Sequence, residues 1–235
     1  MLRTVRNLMA LVALGVVCAQ AKSGMYQPGY VESKLAPNQR PAQLEGVGIE
    51  ERLGNTVDLD LEFVAEDGYP HKLREYFGQH KPVILDLVYY DCPQLCTLIL
   101  NAQTQVMREL NWTPGNEYEV VTISIDPREA FDKARKKRAQ YISSYDRPAP
   151  GWHFLTDKNG NAARLAKQIG FNYTYDARRE QYAHPAAIMV LTPAGKAARY
   201  LYGITYKERD LRFALAEAAE NRLTMAAEKI GRAHV

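Results

Sequence analysis

Cysteine is scarce in this chain: three in 235 residues, at positions 18, 92 and 96. So few sulfurs exclude a disulfide-dense scaffold held by several bridges. Long apolar runs are also missing. The run Leu8 to Cys18 is about eleven residues, short of the roughly twenty needed to cross a bilayer as a helix. Charge of one sign is lacking as well, the net formal charge being only +3. The basic cluster Lys133 to Arg138 falls in a helical stretch, where a solvated face is the plain reading, and no basic stripe is interleaved with stacking aromatics. Nucleic acid is therefore not an expected partner. No internal repeat is present, and at 46% apolar and 24% charged residues the chain suits one globular domain with a real core.

The ends carry processing signals. Arg3 and Arg6, the apolar run and Ala19-Gln20-Ala21 follow the order of a secretory signal peptide, expected over 1–21. The protein is then exported, to the periplasm or the outer face of the cytoplasmic membrane. Lipidation of Cys18 is disfavoured by the bulky Val17 before it. Residues 22–46, rich in Pro, Gly, Gln and Asn, read as a flexible arm before a domain expected over 47–223. The last residues, Ile230 to Val235, have the form of translated adapter sequence, so the tail 224–235 is expected to be partly non-native. His234 carries no argument, and membrane association through a missing C-terminal anchor stays open.

Within the domain, Val57, Leu59, Leu61 and Phe63 alternate with acids, predicting a strand with one buried face. His71 to Phe77 predicts a short helix. Pro82 to Tyr90 is a nearly continuous apolar run, as for a central strand covered on both faces. Leu98, Ala102, Val106 and Leu110 recur every fourth residue and predict an amphipathic helix. A strand over Tyr118 to Ile125 follows, with helices over Glu129 to Tyr145 and Asn159 to Ile169. Tyr173 to Tyr175 and Gln181-Tyr182 flank a polar turn; Ala186 to Leu191 and Ala197 to Tyr202 flank another, and a helix from Lys207 closes the domain. This order predicts an α/β, thioredoxin-like fold, a central mixed sheet flanked by helices, with an extra N-terminal hairpin.

Asp91-Cys92-Pro93-Gln94-Leu95-Cys96 lies where the central strand hands over to a helix. Helix N-termini favour anions, so sulfurs placed there are available as thiolates. Pro93 suits the first helical position. A spacing of four brings both sulfurs to one side of the turn, where they form a plain disulfide, a redox pair or two ligands of one ion. Two thiolates with an imidazole suit copper, particularly cuprous, or zinc. The candidates for that imidazole are His71, His80, His153 and His184, the last opening the strand that a thioredoxin fold places beside the cysteine turn. Of the nearby groups, Asp126 reads as a turn or cap residue before an acid facing the site, Asp91 as an exposed neighbour, and Tyr89 and Tyr90 as core and rim.

The run Val83 to Cys96, Ile123 to Glu129 (Ile-Ser-Ile-Asp-Pro-Arg-Glu), Gly151 to Thr156 (Gly-Trp-His-Phe-Leu-Thr) and His184 through Gly203 resembles the Sco/SenC family, over roughly Val57 to Arg222. The resemblance implies a metallochaperone for the copper A centre of cytochrome oxidase. Its copper ion would be held by Cys92, Cys96 and His184, with the two sulfurs able to cycle between dithiol and disulfide. It implies as partners a copper-receiving subunit of a respiratory oxidase and a thiol-reducing protein. Thr97 and Ala183 depart from the family pattern, which often has proline and aspartate there; the second departure removes an acid that would orient the imidazole. The alternatives are an extracytoplasmic thiol-disulfide oxidoreductase acting on a respiratory apoprotein and, behind it, a peroxidase or an inert module.

Overall fold

The computed structural model describes residues 44–78 and 80–221. The expected signal peptide, nearly all of the arm, the tail, Cys18 and His234 lie outside the described residues. Among those described, no helix is long and apolar enough to cross a membrane.

The strands are β1 (Gly48–Ile49), β2 (Glu62–Ala65), β3 (Pro70–Lys72), β4 (Val83–Val88), β5 (Glu119–Ser124), β6 (Trp152–Thr156), β7 (Phe171–Asn172), β8 (Thr174–Asp176), β9 (Gln181–Ala183), β10 (Ala187–Leu191) and β11 (Ala197–Tyr202). The helices are α1 (Leu95–Glu109), α2 (Phe131–Tyr145), α3 (Asn161–Gln168) and α4 (Glu208–Ala219). Seven strands form one mixed sheet in the order β11-β10-β4-β5-β6-β2-β3. The pairs β4–β5 and β5–β6 are parallel, and the others are antiparallel. The expected thioredoxin-like architecture is thus present, and β2–β3 is the expected N-terminal hairpin. Every residue of β4 and β10 is buried, as strands covered on both faces must be. Helix α1 packs between α2 and α4; α2 lies on β6, and α4 on β10 and β11. The hairpin β8–β9 stands apart as its own two-stranded ribbon.

Four local expectations are corrected. The first concerns Val57 to Leu61, which form a turn, so the strand begins only at Glu62. The Asp58 carboxylate accepts the Asp60 N–H at 3.0 Å and its carbonyl the Leu61 N–H at 3.3 Å, the local bonding that draws aspartate out of strands. The second is the extent of the short helix expected over His71 to Phe77: it forms, as a 3-10 helix, only at Leu73–Tyr76, because His71 and Lys72 belong to β3. The third is the phase of α1. Its buried face runs through Cys96, Ile99, Leu100, Gln103, Val106 and Met107, whereas Leu98 is exposed. The fourth is Pro93, which precedes the Gln94 N-cap and is not the first helical residue.

Gly170 ends α3 with φ +66°, and a Cβ there would lie 1.8 Å from the Glu50 carbonyl oxygen. Only glycine permits both that backbone and the β1–β7 pairing beside it. The next residue, Phe171, belongs to the site described below.

Candidate metal centre

Strand β4 ends at Val88, paired with Ser124 of β5, and the Ile125 N–H donates to the Val88 carbonyl at 2.7 Å as the last rung. Beyond that rung the chain turns through residues 89–94 into α1, and its N–H groups must find other partners. Tyr89 N–H points at Cys96 Sγ, 3.4 Å away, and Cys92 N–H donates to the Tyr89 carbonyl at 3.3 Å. Cys96 is the second residue of α1, and its N–H donates to Cys92 Sγ at 3.2 Å. The Gln94 side chain gives the helix no cap, so a sulfur takes one of the N–H groups that a capping oxygen would otherwise accept.

His184 arrives from the other side, directly after β9 and before β10. Its Nε2 lies 3.0 Å from Cys96 Sγ, and its Nδ1 lies 3.0 Å from the Pro185 carbonyl. A carbonyl can only accept, so Nδ1 carries the proton and the Nε2 lone pair faces the sulfur. Pro185 thereby supplies the orienting partner that Ala183 cannot. The ring stacks on Phe171, with centroids 6.1 Å apart, and meets Tyr89 edge-on at 6.0 Å. All three side chains are buried, at 9% exposure for Cys92, 2% for Cys96 and 5% for His184. Their ligand atoms lie within 4.8 Å of one another, the one such grouping among the described residues that could hold a metal. Both cysteines are free.

The two thiols have opposite environments. Cys92 is pushed down to about 3, chiefly by hydrogen bonding to Cys96 and with help from the main chain, against the cost of burial. Cys96 is pushed far up, chiefly by burial and then by its hydrogen bond to Cys92. The two sulfurs are thus pushed in opposite directions, as suits a nucleophile with a resolving partner or two ligands of one cation.

The other histidines are elsewhere. His71 is held between Asp67 at 3.0 Å and Glu75 at 2.8 Å. His153 lies against Tyr76, with centroids 4.6 Å apart, and 3.5 Å from Glu119. His80 sits exposed in the loop before β4. Asp126 has the turn role: its carboxylate accepts the Arg128 N–H at 2.9 Å and pairs with the guanidinium at 2.7 Å. Asp91 is exposed and pairs with Lys133. Tyr90 is core, donating its hydroxyl to the Leu155 carbonyl at 2.7 Å.

Two features went unread in the sequence. Arg128 also donates to the Tyr175 hydroxyl at 3.1 Å and lies 5.1 Å from the centre of its ring, tying the β8–β9 hairpin that precedes His184 to the turn after β5. Glu129, 2% exposed, reaches back under the cysteine turn. The signal available for both was their place in Asp126-Pro127-Arg128-Glu129, at the end of the strand paired with β4. A cleft of about 390 Å³ opens beside Cys92, lined among others by Asp91, Pro93, Arg128, Lys133 and Arg179.

A family model described as SCO1/SenC matches residues 50–219. No curated protein sequence is significantly similar to the chain. Among solved structures, one from Aquifex aeolicus VF5 is 26% identical, with a TM-score of 0.64 over 73% of this chain and 96% of that one. Bradyrhizobium japonicum ScoI with copper bound is 18% identical, TM-score 0.51, covering 71% and 99%. Yeast Sco1 with copper bound is 18% identical, TM-score 0.53, covering 77% and 95%.

Proposed function

The chain belongs to the SCO1/SenC family, and from that premise we propose that it is an exported copper metallochaperone which binds one copper ion through Cys92, Cys96 and His184 and delivers it to the copper A centre of a respiratory oxidase. The observation that carries this reading is the convergence of two soft sulfurs and one imidazole lone pair within 4.8 Å. Cuprous ion accepts such a three-ligand set, whereas a structural zinc site is normally closed by a fourth ligand. The copper bound by two relatives of the same fold supports the choice of metal. In this reading residues 47–223 are the working domain, 1–21 the export signal, and the recipient a copper-receiving oxidase subunit at the outer face of the cytoplasmic membrane.

Delivery requires the donor to let go. All three side chains are buried, so the site has to open before an acceptor reaches the ion, and the cleft lined by Asp91 and Pro93, the two residues flanking Cys92, is where an acceptor would approach. Cys92, the more exposed sulfur, is then the ligand shared in the exchange intermediate.

A second reading is favoured by the same pair of thiols. Cys92 thiolate attacks a disulfide of an apoprotein and forms a mixed disulfide; Cys96 then attacks Cys92, releasing the reduced partner and leaving the Cys92–Cys96 disulfide. Two electrons pass to the partner, and a thiol-reducing protein restores the pair.

The two are separated by mixing the reduced protein, loaded with one cuprous ion per chain, with the soluble copper-receiving domain of an oxidase subunit. For the chaperone, copper moves to a reduced acceptor faster than to a small chelator of equal affinity. Failure of transfer, together with metal-free reduction of the oxidised acceptor, gives the function to the dithiol.

A further inference from the structure

Glu129 occupies a position that chain packing alone does not explain. A carboxylate that is only 2% exposed requires donors, and this one has three at short range. Oε2 accepts the Tyr90 N–H at 2.7 Å and the Ser124 hydroxyl at 2.6 Å, and Oε1 accepts the Asp91 N–H at 2.7 Å. Lys133 stands 3.7 Å from Oε1. Tyr90 and Asp91 are the two residues immediately before Cys92, and their N–H groups lie beyond the last rung of the β4–β5 ladder. With Tyr89 N–H facing Cys96 Sγ and Cys92 N–H on the Tyr89 carbonyl, every main-chain donor from 89 to 92 is accounted for. Two of those four end on one side chain.

The Glu129 carboxylate is itself fixed from the strand side. Ser124 closes β5, and Glu129 N–H donates to the Asp126 carbonyl at 3.1 Å, so the acid is set by a short turn on the strand paired with β4. Charge-assisted bonds from main-chain amides are short and strong, and they set the direction of the peptide planes they hold. The planes held at 90 and 91 lead into the peptide of Cys92, whose own N–H is on the Tyr89 carbonyl, so these bonds together orient the Cα–Cβ bond of Cys92.

We infer that Glu129 is the positioning residue of the Cys92–Cys96 turn: it sets the separation and direction of the two sulfurs without touching either of them. As applied to copper, this rests on the reading of Cys92, Cys96 and His184 as the copper site. In Glu129→Gln an amide nitrogen replaces one acceptor and faces a donor, so at least one of the Tyr90, Asp91 and Ser124 groups loses its partner while the side chain keeps its size.

The test compares wild type, Glu129→Gln, Glu129→Asp and Ser124→Ala as full-length proteins. Competition with a cuprous chelator is expected to show a loss of copper affinity of about 10- to 100-fold in Glu129→Gln, the range found when partners that orient ligands are removed. The sulfur-to-cupric charge-transfer spectrum should shift as well. Glu129→Asp, which keeps the charge but draws it back by one methylene, is expected to fall between the two. Ser124→Ala removes the hydroxyl that fixes the Glu129 carboxylate from the strand side, so it should lower copper affinity and shift the spectrum in the same direction as Glu129→Gln, but by less. In the metal-free reduced proteins, iodoacetamide should alkylate Cys92 at least about 3-fold faster in Glu129→Gln, because a loosened turn exposes the sulfur. This arm still reports should wild type bind no copper, the outcome that would sink the copper reading itself. Copper affinity, spectrum and alkylation rate all unchanged in Glu129→Gln would overturn the proposal; if that variant does not fold, the same result in Glu129→Asp does so.

Discussion

Alanine at His184 is expected to lower copper affinity by more than about 100-fold, beyond the loss typical of removing only a partner that orients a ligand, while the domain stays folded. The imidazole is the one nitrogen donor facing the two sulfurs, at 3.0 Å from Cys96 Sγ, and among the described residues no other histidine belongs to a group able to hold a metal. Cys92→Ser and Cys96→Ser should be at least as severe, since each exchanges a soft ligand for a hard hydroxyl. The two serines should differ in stability. Cys96 is almost fully buried with its sulfur beside the Tyr89 N–H, so the change falls in a packed site, whereas Cys92 is the more exposed of the two. For His184→Ala the ring leaves a gap between Phe171 and Tyr89, costing on the order of 1–3 kcal/mol. Copper titration with a chelator competitor measures the first effect and denaturant unfolding the second. Stoichiometric, tight copper in His184→Ala would remove that residue from the centre.

The second large effect lies in the core and concerns pH. Asp86 is fully buried in the middle of β4, with its Oδ2 accepting the Thr122 hydroxyl at 2.8 Å, and Trp152 Nε1–H donates to the same hydroxyl at 3.1 Å. Burial pushes the Asp86 carboxyl up to about 7, against the opposing influence of Thr122 and Gln103. The folded state therefore holds a proton that the unfolded chain releases near 3.8. The folded pKa is the raised one, so the contribution is fully present below about pH 4 and is lost as pH rises to about 7. A shift of this size corresponds to about 4 kcal/mol. Asp86→Asn, neutral and of the same shape, should lose most of that slope and be more stable than wild type near pH 8, with a melting temperature raised by roughly 10 °C. Denaturant unfolding of both proteins across this pH range is the check. Parallel stability curves for the two would show that Asp86 titrates alike in folded and unfolded chains.

Much of the site was legible because its pieces have strong local signatures. An apolar run ending in Cys92 and Cys96 specifies strand, turn and helix, and the antiparallel strands after His184 place that residue beside the turn. What failed had identifiable causes. The repeat Leu98, Ala102, Val106, Leu110 advances about 40° per step on a 3.6-residue helix, so it cannot stay on one face; Val106 and Leu110 are buried and Leu98 is not. In Val57 to Phe63 the alternation of burial was real, with Val57, Leu61 and Phe63 all under 4% exposed, but Asp58 bonds the backbone of the residues after it and bends the chain. Glu129 was overlooked for a different reason. In sequence it is one acid in a turn motif, and its role arises only when the parallel pairing of β4 and β5 brings residue 129 beneath residues 90 and 91.

In the function proposed above, two buried sulfurs, an imidazole turned toward them by a neighbouring carbonyl, and an acid bonded to the turn from below act as one site that holds a soft ion and surrenders it. X-ray absorption at the copper edge of the cuprous-loaded full-length protein tests that most directly. The expected first shell is two sulfurs and one imidazole nitrogen, with the imidazole signal lost in His184→Ala. A shell of oxygen, or of sulfur alone in the wild-type protein, would contradict the account.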